Sequence, residues 1–220
     1  MATHQKIKTV LLLALFAGIA YSVDTCIPDI RANRNGYAMS LSLQHIGTLF
    51  LVAPLLYDTI KNRMPLSAFV GLMVFAIIHV VGAKYLYYVP YKEWFSGLGA
   101  GADFFKDTRN HYDRFVHVSF GLFTFPCLLY ISRKWIERKS MASILMAWLL
   151  IQAGSIIYEI IEWQLSVWFD KSVADGYNGQ QGDMWDAQKD MALAMAGSTI
   201  MALFSAIKDN RSRHANGETK

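Results

Sequence analysis

The chain has 220 residues, 54% of them hydrophobic and only 17% charged, with a mean hydropathy of +0.24. A soluble domain carries about a quarter charged residues. Here the apolar residues gather in blocks of the roughly 20 residues that a bilayer-crossing helix needs, so composition and patterning exclude a water-soluble globular domain. The net charge of +4 comes from basic residues scattered over short segments with no basic stripe, which indicates topology bias and no nucleic-acid binding.

The expected fold is all-α: a polytopic integral membrane helical bundle forming a single domain over residues 1–220. The first apolar block, residues 7–23, follows Lys6 and is interrupted early by Lys8. A basic start, a short apolar core and Ala20-Tyr21-Ser22 also fit a signal peptide. A retained helix is the preferred reading, since the run reaches the lower end of spanning length. Residues 24–40 read as a polar loop, with Pro28, Asn33, Asn35 and Gly36 as turn formers. The second span covers 41–60, with Gln44 and His45 near its start. A basic turn with Lys61, Arg63 and Pro65 leads into the third span, 66–83, which carries His79 near its end.

Residues 84–110 form the longest connection and hold Tyr85, Tyr87, Tyr88, Tyr91, Trp94 and Phe95, followed by Gly97, Gly99 and Gly101. Aromatic residues at this density suit the headgroup level of a bilayer. The fourth span covers 111–132 and the fifth 141–169, joined by a basic turn around Arg133, Lys134, Arg138 and Lys139. A glycine-containing polar loop precedes the sixth span, 185–207, and residues 208–220 make a polar, mobile tail. Cys26 and Cys127 are expected to be small buried hydrophobes with no disulfide between them.

Placing both termini in the cytoplasm puts twelve Lys and Arg inside: Lys6, Lys8, Lys61, Arg63, Arg133, Lys134, Arg138, Lys139, Lys208, Arg211, Arg213 and Lys220. Seven fall in the longer outer segments: Arg31, Arg34, Lys84, Lys92, Lys106, Arg109 and Lys171. Positive-inside bias therefore favours cytoplasmic termini. In that orientation the polar residues of five spans share one depth, the outer leaflet.

Those residues define the candidate site. Asp113 and His117 lie four apart on one helix face, with Gly121 a further turn along. Glu159 and Glu162 lie three apart, with Gln152 two turns below Glu159. Asp183, Asp186 and Asp190 follow a three-then-four spacing that Gly197 continues. Carboxylates in hydrocarbon are costly and mark functional sites by default, and mutually close ones cannot all be ionised. Such a group suits acid–base work or proton carriage. With an imidazole it also makes a plausible divalent metal site, although no specific ligand motif is present and the metal stays open. Arg109 and Arg114 are placed to neutralise part of the charge, and His79 and Gln188 are supporting candidates. No Gly-x-Ser-x-Gly, His-Glu-x-x-His or phosphate-binding glycine loop occurs.

The segments Ala83-Lys84-Tyr85-Leu86-Tyr87-Tyr88-Val89-Pro90, Arg109-Asn110-His111-Tyr112-Asp113-Arg114-Phe115-Val116-His117, Tyr158-Glu159-Ile160-Ile161-Glu162-Trp163 and Gly179-Gln180-Gln181-Gly182-Asp183-Met184-Trp185-Asp186 through Met191 occur in this order. Together they resemble the YjdF-like family of bacterial inner-membrane proteins. This chain has Gln180 where that family has a threonine. Asp113-Arg114-x-x-His117 and Asp186-x-x-x-Asp190 more distantly resemble VanZ-like membrane proteins, which usually carry asparagine at the position of Arg114. The resemblance implies a bacterial cytoplasmic membrane and a polytopic helical fold, and carries no activity with it. The residues themselves support three readings. The first is an enzyme acting at the outer leaflet on a lipid or lipid-linked substrate, with His117 and Glu159 or Glu162 handling protons and Asp113, Asp186 and Asp190 orienting them or binding a metal. The second is a small proton- or ion-coupled transporter, and the third a non-catalytic structural or stress-response membrane protein. The enzyme ranks above the carrier because polar residues thin out toward the cytoplasmic side, leaving Gln152.

Overall fold

The computed structural model describes residues 2–32, 36–97, 109–136, 140–170, 173–174 and 181–215. It is all-helical across them. Six helices are long and apolar enough to cross a membrane: α1 (Ala2–Ala32), α2 (Tyr37–Lys61), α3 (Leu66–Lys84), α5 (Tyr112–Trp135), α6 (Met141–Trp168) and α7 (Asp186–Ala215). A short α4 (Tyr91–Gly97) lies in the long connection. Gly99, Gly101, Gln180 and residues 216–220 lie outside the described residues.

The helices extend beyond the apolar blocks that announce them. Residues 24–32, expected to be loop, continue α1. The backbone donor that Pro28 lacks would have bonded the carbonyl of Asp24, an exposed residue, so little is lost there. Cys26 is buried, with its thiol 3.9 Å from the Lys84 carbonyl, which holds this extra stretch against α3. The tail expected from Lys208 also begins in helix. There α7 runs on to Ala215, with Asp209 paired to Arg133 of α5.

Two groups of three helices make up the bundle. α1, α2 and α3 pack mutually around Leu12, Leu15, Val52, Leu55, Phe69 and Met73. α5, α6 and α7 pack around Phe125, Ile144, Ala147, Ile151 and Ala194. The groups meet where α3 lies on α5, through Phe75, Val116 and Phe120. The outer faces carry the large apolar side chains, such as Leu49, Phe50, Ile157, Leu203 and Phe204. Inside, buried small residues such as Ser119, Ser143, Ala194 and Ser198 sit among these apolar clusters and the buried charges. Small residues at helix crossings are the pattern of a helix bundle in lipid, where close backbone packing replaces a hydrophobic drive between helices.

The closest such contact is α5 on α7. A methyl group at Gly121 would fall on the Ala194 carbonyl oxygen and 2.6 Å from the Ser198 amide nitrogen. One at Gly197 would fall on the Val118 carbonyl. Each glycine thus admits the other helix's backbone. A similar approach joins α3 to α5, where a methyl at Gly71 would lie 2.5 Å from the Phe123 carbonyl oxygen.

At the end of the bundle that holds the start of α1, Lys8 is almost fully buried. Its ammonium donates to Asp58 (2.6 Å), to the Asn62 side-chain oxygen (2.9 Å) and to the Met64 carbonyl (2.7 Å). The other carboxylate oxygen of Asp58 accepts from the amides of Arg63 (2.9 Å) and Met64 (2.7 Å). One ion pair therefore fixes α1 to the α2–α3 turn, and the first helix is part of the bundle's packing.

Two stability predictions follow from these contacts. Lys8→Met strands a buried carboxylate and should cost about 3–5 kcal/mol; adding Asp58→Asn should recover part of that loss in thermal unfolding of the detergent-solubilised protein. Gly121→Ala should cost about 1–3 kcal/mol through overpacking, whereas Gly18→Ala, with nothing within 4 Å of the added methyl, should leave the midpoint unchanged or raise it.

Candidate functional site

The α5–α7 crossing sets the opposite end of the bundle. With the two backbones touching at Gly121 and Gly197, residues one to two turns toward the start of α5 and two to three turns toward the start of α7 face one another. These are Asp113 and His117 on α5, and Asp186 and Asp190 on α7. α6 packs against both and contributes Glu159 and Glu162. All six side chains are buried, from 2% exposed for Asp190 to 7% for the two glutamates.

The cluster has two tiers. The outer tier is ion-paired. Arg109 donates to Asp186 and lies 3.9 Å from Asp183. Arg114 donates to Asp183 at 2.6 Å and lies 3.6 Å from Asp186. Lys189 donates to the same Asp183 oxygen at 2.6 Å. The hydrogen bond from Lys189, with that from the Trp185 amide, holds the Asp183 carboxyl down at about 2, below its ordinary 3.8. A group lowered in this way keeps its charge, and its favourable contribution, at every pH above about 4 and loses it only as pH falls through about 2. Asp183 is therefore ionised under any physiological condition.

The inner tier has no such neutralisation. Among the described residues, no lysine or arginine nitrogen lies within 4 Å of a carboxylate oxygen of Asp113, Glu159 or Asp190. Instead, the Nε2 of His117 stands 3.6 Å from Asp113 Oδ1 and 3.6 Å from Glu159 Oε1. Both distances exceed a hydrogen bond. One ligand atom each from Asp113, His117 and Asp190 lies within 4.8 Å of the others. Glu159 Oε1 and Asp190 Oδ1 are buried with no hydrogen-bond partner. The His117 ring packs edge-on against Tyr158, 5.8 Å between centroids, and Tyr158 also hydrogen-bonds Glu162.

A cleft of about 280 Å³ opens over the cluster, lined by Glu159, Glu162, Trp163, Asp183, Met184, Asp186, Ala187 and Gln188. Glu159 belongs to both cleft and inner tier. Gln188 is exposed at the cleft's edge. Gln152 donates to Ser198 of α7 at 2.9 Å, deeper in the bundle. His79 is not drawn into the cluster. Its ring nitrogens meet the Tyr87 hydroxyl (3.0 Å) and the Gln44 carbonyl (3.2 Å), so it ties α3 to α2.

The aromatic connection has a positioning role that the sequence did not disclose. Leu86 and Tyr87 both adopt left-handed backbone (φ 46 and 63), a strained turn after α3 that buries Tyr87 against His79. Beyond it, the Val89 carbonyl accepts from the Asn110 side chain (2.8 Å), and the Tyr91 hydroxyl accepts from the His111 amide (2.9 Å). Asn110 and Gln181 exchange a pair of hydrogen bonds, each 2.8 Å, between the Asn110 backbone and the Gln181 side chain. These bonds fix the approach to α5 and deliver Arg109 to Asp186. Gln181 was visible only as part of a motif; its backbone partner lies 71 residues away. Trp94 and Phe95 on α4 are exposed, as suits the headgroup level.

Comparison with known proteins agrees with the motifs. The chain is 31% identical over 175 residues to the inner membrane protein YjdF of Escherichia coli (strain K12), covering 74% of this chain and 77% of the relative. No solved structure matches it. The family described as predicted membrane protein (DUF2238) matches residues 7–211, nearly the whole chain, and it is to this family that the chain belongs.

Proposed function

We propose that this protein is an enzyme of the bacterial inner membrane that acts at the outer leaflet on a lipid or lipid-linked substrate. The orientation rests on the positive-inside count, which turns the carboxylate end outward. The observation that carries the reading is Glu159: it lines the cleft and also stands 3.6 Å from a buried His117, itself 3.6 Å from Asp113. A substrate group in the cleft therefore meets a carboxyl backed by an imidazole, the arrangement of a general acid–base pair. Spacings slightly beyond hydrogen bonding are usual before substrate closes a site.

The substrate class follows from the walls. Exposed Met184 and Trp163 line the cleft beside its acids at the level of the helix ends, so an amphiphile presents its polar head to the acids and its chains to the lip. Arg109, Arg114 and Lys189 on the rim moderate the negative field toward an anionic headgroup. In this reading His117 and Glu159 pass the proton, Asp113 and Asp190 orient the imidazole, and Asp186 with Asp183 positions the rim cations. The reaction class is hydrolysis or transfer at the headgroup.

One observation favours a second reading, an ion-coupled carrier. On α6, Gln152, Ser155, Glu159 and Glu162 form one polar stripe, and the buried hydroxyls of Ser155 and of Ser119 on α5 have no hydrogen-bond partner. The stripe extends the acid cluster inward.

The membrane lipids of a strain lacking this protein, compared by mass spectrometry with the same strain carrying the wild type, test the enzyme. One lipid or lipid-linked species should accumulate in the deletion strain, disappear with the wild type, and persist with Glu159→Gln or His117→Gln inserted at normal level. An unchanged lipid profile, or full rescue by both variants, contradicts it. In the same strains, a deletion phenotype that depends on the membrane proton gradient and is lost in Ser155→Ala would favour the carrier.

A further inference from the structure

We propose that Asp113, His117 and Asp190 bind one divalent cation, with Glu159 as a fourth ligand or as the base beside it. This deepens the enzyme reading and rests on it for the role of the ion, not for its binding; with the ion bound, His117 holds the ion and Glu159 alone passes the proton. The three residues come from two helices locked together at Gly121 and Gly197, and a ligand atom from each lies within 4.8 Å of the others. Ligands about an ion at ~2.1 Å stand no more than ~4.2 Å apart. A shift of about an ångström in one carboxyl group, well within a side-chain torsion, closes the set.

The second observation is the shortage of donors. Asp190 is 98% buried, and its Oδ1 has no hydrogen-bond partner; Glu159 is 93% buried, and its Oε1 has none either. Buried charges are normally paired or bound to metal. The arginines that might serve are turned outward: Arg109 and Arg114 are engaged with Asp183 and Asp186. His117 Nε2 offers at most one N–H to carboxylates on both sides. A single ion satisfies all of these oxygens together and uses the imidazole as a ligand.

The donor set indicates the ion's class. One imidazole nitrogen with two or three carboxylate oxygens suits Mn²⁺, Fe²⁺ or Zn²⁺ better than Mg²⁺ or Ca²⁺, which take oxygen alone. Three protein ligands leave a coordination position for water or substrate, the mark of a catalytic ion. Glu159 lines the cleft, so that position is on the substrate's side.

The test is equilibrium dialysis of the full chain, purified in detergent and stripped with chelator, against Zn²⁺ and separately Mn²⁺, with bound metal measured by elemental mass spectrometry. The proposal expects saturable binding near one ion per chain. Asp190→Asn and His117→Gln should each weaken it by at least about tenfold, while Asp209→Asn at the far end of α7 should not. Should the site variants fail to fold, pulsed electron paramagnetic resonance of Mn²⁺ on the wild type decides, because the proposal requires coupling to an imidazole nitrogen. Absence of saturable binding, binding unchanged in Asp190→Asn, or bound Mn²⁺ without nitrogen coupling overturns it. Metal binding with an unaltered lipid profile would instead remove the enzyme reading and leave the cation site standing.

Discussion

The end of this molecule where its buried acids gather depends on one steric fact. α5 and α7 touch backbone to backbone at Gly121 and Gly197. Nothing bulkier fits at either position. From that contact the two helices run on in register, and Asp113 and His117 come to face Asp186 and Asp190. α6 packs against both and adds its two glutamates. In lipid, no hydrophobic force draws helices together, so small residues at the crossing act where apolar side chains would act in water. The acids owe their proximity to the glycines.

That proximity is costly. Asp113, Glu159 and Asp190 are buried, close to one another, and among the described residues no lysine or arginine nitrogen lies within 4 Å of their carboxylate oxygens. Elsewhere the same chain handles buried charge differently. Lys8 and Asp58 are equally buried, yet each is satisfied: the lysine has three acceptors, and the aspartate has the ammonium and two amides. The protein can therefore complete a buried ionic network where its only task is to join helices. The inner tier is left incomplete, beneath a rim where Asp183 and Asp186 hold three cations, and that contrast is what supports the proposal of a functional centre there.

Much of this was legible in the sequence. Six apolar blocks located the six spanning helices, because hydropathy over about 20 residues is a strong signal. The three-and-four spacings put Asp113 with His117, Glu159 with Glu162 and Asp186 with Asp190 on single faces, since helical geometry fixes which residues share a side. Less was legible where the partner is distant in the chain. His79 looked like a companion of the acids, but a period shows only its face, not that Tyr87 and Gln44 already occupy both ring nitrogens. Lys8 read as an orientation charge; its meaning depended on Asp58, 50 residues on. An acid inside one apolar run and a base inside another is the trace this pair leaves in the sequence. Helix ends were misplaced for a related reason: Pro28 and the polar residues around it favour a turn locally, and contacts such as Cys26 against Lys84 override that preference.

If the inner carboxylates are retained for function at the expense of stability, removing one charge without changing shape should not weaken the fold. The most direct measurement is the thermal unfolding midpoint of Asp190→Asn beside the wild type, both stripped of metal and in the same detergent. A functional centre predicts a midpoint equal to or above that of the wild type. A midpoint lower by about 4 °C or more, a loss exceeding roughly 1 kcal/mol, would show instead that Asp190 holds the helices together, and the centre would have to be abandoned.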